Sequence, residues 1–208
     1  MMTINDLTIK KIVFNRLLNE LPEFYELKNV IENNNWHHNE STFDHTLKVL
    51  SNYIKFFVKS SDKISKYLNK KVDKYQIKDL IYLAVILHDL GKKETIIKSG
   101  DKSSFPLHEK ISVAKSKKIL NKFNFSASEK NFVLEIIKQH SYLHSIVEPD
   151  NKNLEQQFNG LKKKMPQYIV GLVILVMADT INSYLKETMP KKYKFRISFY
   201  KEKLNSLV

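Results

Sequence analysis

Cysteine is absent from this chain of 208 residues. Disulfide scaffolds, thiolate zinc sites and cysteine nucleophiles are therefore excluded, and the absence fits a reducing compartment. Glycine and proline are scarce, at four and five residues. Turn-rich β-sandwiches and barrels lean on both, so long helices joined by few connections are expected. The longest apolar run, Tyr168 to Ala178, is broken only by Gly171. It falls well short of the roughly 18–20 residues needed to span a bilayer. Met1 to Asn15 contains no continuous apolar segment of the signal-peptide kind. A cytoplasmic protein without a membrane partner is the resulting expectation. Gly91, Gly100, Gly160 and Gly171 lie in no Walker A loop, no G-x-G-x-x-G and no G-x-S-x-G elbow, which removes support for ATPase, dehydrogenase and α/β-hydrolase chemistry. His108-Glu109 is not the start of a zincin motif, because Ser112 stands four residues after His108.

What is present is an apolar fraction of 42%, enough for a core of one domain or of one domain with a small appendage. The formal net charge of +13 attracts phosphate-bearing partners. The lysines are scattered, however, in the manner of a compositional bias. Helical spacing runs from Leu7 to Glu20. Pro22 opens a short helix toward Ile31, and Asn33 to Asn35 break it. Ser41 and Asp44 resemble a capping box for a helix from Thr42. Ile77 to Leu90 is apolar nearly all round and so central, with Gly91 as its terminating C′ residue. Lys92 to Phe105 reads as a loop. Further helices are expected over Pro106 to Phe123, from Ser126 to about His140 with a second box at Glu129, over Leu154 to Lys164, and over Pro166 to Leu185. The basic stretch after Pro190 has no assigned place.

Several polar residues do not fit their helices. His88-Asp89 closes the most apolar helix of the chain, and a buried carboxylate beside an imidazole needs a partner. A metal ion supplies one, provided it lies between two side chains that diverge by about 100°. An exposed Asp89 capping a turn, with His88 packed, accounts for the pair alone equally well. The seven histidines all fall between His37 and His144, and Asp179 follows the apolar run ending at Ala178. Together they offer imidazoles and carboxylates from four separate helices, a common way for bundles to build metal sites.

The order His45, His88-Asp89, Asp179 resembles the H…HD…D signature of HD-superfamily phosphohydrolases, and Leu87-His88-Asp89-Leu90-Gly91-Lys92 looks like its HDxGK core. The similarity is closest to the HD domain attached to some bacterial tRNA nucleotidyltransferases. Trp36-His37-His38-Asn39-Glu40 precedes His45-Thr46, Thr95 follows Lys92, Phe105 precedes His108-Glu109, and Gln139-His140, His144 and Ala178-Asp179 complete the pattern. The nucleotidyltransferase head is missing, so only the hydrolytic module is implied.

The resemblance implies an all-α HD-domain helical bundle. It suggests an N-terminal helical segment over residues 1–35, the HD domain over 36–186 and a basic tail over 187–208. It implies His45, His88, Asp89 and Asp179 as metal ligands for one or two divalent ions, of Mn, Ni, Co, Fe, Zn or Mg. Lys92 would hold a phosphate as a point charge. His108 and His140 would ligate a second metal, contact phosphate or protonate the leaving oxygen. His144 is either a second site residue, one turn from His140, or a surface residue. Of His37 and His38, one is expected in the site and one exposed, with His38 carried as the substrate-binding candidate. The implied function is hydrolysis of phosphomono- or phosphodiesters of nucleotides or RNA ends, including 2′,3′-cyclic phosphates. The partners would be a phosphorylated small molecule or nucleotide, or RNA. Hydrolysis of a nucleoside triphosphate or alarmone is an alternative, and a nucleic-acid-binding helical module with a structural metal is another.

Overall fold

A computed structural model describes residues 4–208. Helices α1 (Ile9–Val13) and α2 (Pro22–Tyr25) lead to a short hairpin, β1 (Ile31–Glu32) and β2 (Glu40–Ser41). Then come α3 (Thr42–Val58), α4 (Asp62–Leu68), the hairpin β3 (Lys71–Val72) and β4 (Tyr75–Gln76), α5 (Ile77–Leu87) and α6 (Lys92–Thr95). A third hairpin, β5 (Ile97–Ser99) and β6 (Lys102–Ser104), precedes α7 (His108–Leu120), α8 (Ala127–Ile146), α9 (Leu154–Lys164), α10 (Ile169–Asn182), α11 (Leu185–Thr188) and α12 (Pro190–Leu207). The architecture is an all-α bundle with three separate two-stranded antiparallel hairpins among the described residues. No helix among these residues is long and apolar enough to cross a membrane.

The bundle is organised around the two most apolar helices. Leu80, Ile81 and Leu83 to Leu87 of α5 are buried, as are Ile169 to Ala178 of α10. Each such leucine or isoleucine contributes roughly 1.5–3 kcal/mol of burial. Helix α10 packs on α3, α5, α8 and α12. A Cβ at Gly171 would come within 2.7 Å of Ile136 Cδ1 and 3.2 Å of Ile81 Cγ1, so glycine lets α10 sit close against α8 and α5.

Local signals set several helix starts. Ser41 Oγ accepts from the Asp44 amide at 3.0 Å, and Ser126 and Glu129 form a reciprocal capping box on α8. Buried Glu129 also takes the Lys74 and Tyr75 amides at 2.8 and 2.7 Å, which ties the β3–β4 hairpin to α8.

Other expectations change. The helix expected over Leu7 to Glu20 is only α1, followed by turns with Asn15 at positive φ; Leu17 and Leu21 are buried from those turns. The loop expected over Lys92 to Phe105 holds α6 and the β5–β6 hairpin. Gly91 is not a left-handed cap: its φ is −84°. A Cβ there would lie 2.2 Å from His108 O and 2.7 Å from Ser112 N. Glycine is needed because the start of α7 presses on this turn. The basic segment after Pro190 is α12, packed on α10 and α11 with Arg196, Phe199, Tyr200 and Leu204 buried.

Candidate metal centre

Helix ends bring the site together. His45 lies in the first turn of α3 and His108 opens α7. His88 caps the C-terminus of α5, Asp89 follows it, and Asp179 stands near the end of α10. Helix α8 continues to Ile146, beyond the expected stop near His140, so His140 and His144 lie one turn apart on it. All of these except His45 and His88 line one cleft of about 460 Å³, which Glu32, Trp36, His37, Lys92, Phe105 and Arg196 help to close. Behind the lining residues, His45 and His88 are fully buried.

Three imidazoles share one device. His88, His108 and His140 each donate Nδ1–H to the carbonyl three residues earlier, at Val85 (2.8 Å), Phe105 (2.9 Å) and Ile137 (2.5 Å). A carbonyl only accepts, so Nδ1 carries a proton and Nε2 is the nitrogen turned toward the site. These three Nε2 atoms surround Asp89. His88 Nε2 is 3.1 Å from Oδ2, and His108 and His140 Nε2 are 3.2 and 3.7 Å from Oδ1. His108 and His140 Nε2 face each other at 3.0 Å. Two lone pairs at that distance repel unless a cation or a proton lies between them. Burial pulls the His140 imidazole down to about 4 against the opposing pull of Asp89, which leaves it neutral at pH 7. His88 Nε2 is buried with no hydrogen-bond partner among the described residues.

A second trio adjoins the first: His45, His88 and Asp179 bring ligand atoms within 4.8 Å of one another, as do Asp89, His108 and His140. Asp179 Oδ1 lies 2.6 Å from His45 Nε2 and Oδ2 lies 2.7 Å from His144 Nε2. Burial pushes both aspartates up, but the surrounding cations and donors outweigh it. His88 with Lys92, and His144 with His45, hold Asp89 and Asp179 well below the usual carboxylate range. Burial lowers His45, yet Asp179 and Glu40 raise it to about 10. Without a metal, a proton on His45 supplies the positive charge that the two carboxylates demand.

Glu40 Oε2 lies 3.7 Å from His45 Nδ1 and 3.6 Å from His37 Nδ1, and none of these three buried atoms has a hydrogen-bond partner among the described residues. They form a third candidate trio. Using His45 Nδ1 as a ligand there would force the proton onto Nε2, which faces Asp179. The carboxylate is better read as the group that keeps His45 Nδ1 protonated and Nε2 free, an outer-shell arrangement common at metal-bound histidines.

Lys92 is buried, with its ammonium 2.8 Å from both Asp89 Oδ2 and Glu32 Oε2. Its charge reaches the cleft already shared between two carboxylates. His38, the substrate-binding candidate, lies outside the cleft: it is exposed, 5.9 Å from the Tyr184 ring. His37 is the inward neighbour, because Asn34 Oδ1 accepts the Trp36 and His37 amides and turns the chain there. Sequence reading missed Glu32 and Arg196. Both are buried charges with partners distant in sequence, and no local pattern marks them.

The HD domain family matches residues 42–181. The chain belongs to the HD domain family. No curated protein matches it. HD domains are in general metal-dependent phosphohydrolases, and the donor set here suits such an ion. Imidazoles that donate Nδ1–H to the backbone and turn Nε2 inward stand beside ionised carboxylates, a mixture that favours Mn, Fe, Co, Ni or Zn over Ca. Five of the cleft residues of this HD domain, Glu32, Asn34, Trp36, His37 and Arg196, come from outside the matched span.

Proposed function

We propose that the chain hydrolyses phosphomono- or phosphodiesters of nucleotides or RNA ends, 2′,3′-cyclic phosphates included, with His45, His88, Asp89 and Asp179 holding the divalent metal. One observation carries the reading: three imidazoles, two of them buried, each locked by its own backbone carbonyl, turn Nε2 toward a single carboxylate at 3.1–3.7 Å. Such convergence costs several kcal/mol of lone-pair repulsion and desolvation unless a cation joins it. A divalent ion there supplies Lewis-acid polarisation of a phosphoryl oxygen and a more acidic water. His140, neutral at pH 7, suits ligation better than proton donation to a leaving oxygen. Lys92 keeps Asp89 ionised and sets a positive charge at the cleft wall.

A nucleotide is supported by the cleft itself. Its volume of about 460 Å³ suits one small organic ligand, and Trp36 and Phe105 offer aromatic walls beside the hydroxyls of Ser103, Ser104, Ser141 and Ser145. The likeness to the HD domain of tRNA nucleotidyltransferases, which extends to Trp36 and His37, and the net charge of +13 favour nucleotide or RNA phosphate. The test is turnover of an aryl phosphate, a bis-aryl phosphodiester and 2′,3′-cyclic nucleotides by chelator-treated protein resupplied with Mn, Ni or Co. Metal-dependent release of phosphate or opening of the cyclic ester is expected. Cleavage of a nucleoside triphosphate or alarmone alone would overturn the substrate assignment, and inactivity on every phosphate ester with all three metals would overturn the proposal.

A further inference from the structure

We infer that Arg196 is a positioning residue for the metal centre: it fixes the His144 ring so that its Nε2–H points at Asp179. The inference rests on the metal reading above, and it concerns a residue outside the span that the HD family matches.

Arg196 lies on α12 and is 1% exposed. Its Nη2 donates to the His144 carbonyl at 2.9 Å and to Glu148 Oε1 at 2.6 Å. Its Nη1 faces His144 Nδ1 at 3.5 Å and Tyr200 Oη at 3.4 Å. The guanidinium carbon stands 4.7 Å from the centroid of the Trp36 ring, which meets His144 edge-on with centroids 5.1 Å apart. Arg196 Nε is buried with no hydrogen-bond partner among the described residues. A guanidinium held in the core with a donor left over is costly. Its position needs a return beyond packing.

The return is the state of His144. A guanidinium has donors and no acceptor, so His144 Nδ1 facing it must be the bare nitrogen, and the proton sits on Nε2. That proton is donated to Asp179 Oδ2 at 2.7 Å. The arrangement is the reverse of His88, His108 and His140, whose Nδ1 atoms carry the proton. His144 is thereby a donor to the Asp179 carboxylate and not a metal ligand. With Oδ2 engaged, Asp179 is held with Oδ1 at the first-turn histidine of α3, 2.6 Å from His45 Nε2. The fork of the guanidinium reaches the His144 carbonyl and ring together, which a lysine ammonium cannot do.

The experiment is a double-mutant cycle on the full chain, with Mn²⁺ alone as the probe. Free Mn²⁺ is followed by electron paramagnetic resonance in wild type, Arg196→Lys, His144→Gln and the double variant, and thermal melting of each chelated protein monitors folding. Outer-shell losses typically weaken metal affinity 10–100-fold. Arg196→Lys is expected to weaken Mn²⁺ binding about tenfold in the wild-type background and to change it less than twofold when His144 is already Gln. Equal losses in both backgrounds, or no loss in either, would overturn the inference. Failure of wild type itself to bind Mn²⁺ would instead remove the metal reading on which it rests. Arg196→Met serves if Arg196→Lys melts too low to measure, with the same comparison of backgrounds deciding the outcome.

Discussion

Replacing Asp89 with alanine separates two effects that the geometry assigns to one carboxylate. In metal-free protein, Asp89 neutralises Lys92 at 2.8 Å and lies against three imidazoles. Breaking a buried ion pair costs about 3–5 kcal/mol when the remaining charge is stranded. Lys92 keeps Glu32 at 2.8 Å, so the loss should sit at or below the lower end, about 3 kcal/mol. For a chain of this length that is roughly 6–12 °C in Tm, at about 2–4 °C per kcal/mol. In the presence of Mn²⁺ at about 100 times its Kd, binding to the native state adds about 2.7 kcal/mol, or about 5–11 °C by the same conversion. Wild type should show that rise and lose it with chelator. Asp89→Ala should melt lower and show almost no metal-dependent rise. The assay is scanning calorimetry with and without chelator. An Asp89→Ala variant that gains as many degrees from Mn²⁺ as wild type would refute the assignment, whatever its baseline Tm.

Proton linkage gives a second expectation. His45 in the metal-free protein is raised to about 10, so its contribution is full below about pH 6.5 and disappears as pH climbs through 10. His140 is lowered to about 4, so its contribution holds above about pH 6.5 and is lost as pH falls through 4. Chelated protein should therefore be most stable near neutrality. Metal binding at pH 7.5 should release about one proton, read as a dependence of the calorimetric enthalpy on buffer ionisation; no dependence would count against a protonated His45. Gly91→Ala should disturb both fold and metal site, because its new methyl must displace His108 O at 2.2 Å. A loss of about 1–3 kcal/mol in urea unfolding is expected, together with weaker Mn²⁺ binding. Unchanged stability would mean that the α6–α7 contact yields easily.

Some of this was written in the chain itself. The scarcity of Gly and Pro, with the strongly apolar character of 80–87 and 169–178, dictated a helical bundle, because such segments have to be covered on all sides. Ser41 and Ser126 announced two helix starts through hydrogen bonds that span three residues. His88-Asp89 and Asp179 stood out as polar groups on helices that had no reason to expose them. These signals are local, and local sequence carries them.

Tertiary structure decided the rest. It selected His37 over His38, because a turn closed by Asn34 sets which of two adjacent imidazoles faces inward. It turned Gly91 from a helix cap into a point of close approach, since the α7 backbone that crowds it arrives from elsewhere in the sequence. It brought Glu32 to Lys92 across 60 residues and Arg196 to His144 across 52. Which charge neutralises which, and on which nitrogen each histidine keeps its proton, depends on atoms a few ångströms apart in space. Residues that meet only after folding leave no periodic trace along the chain.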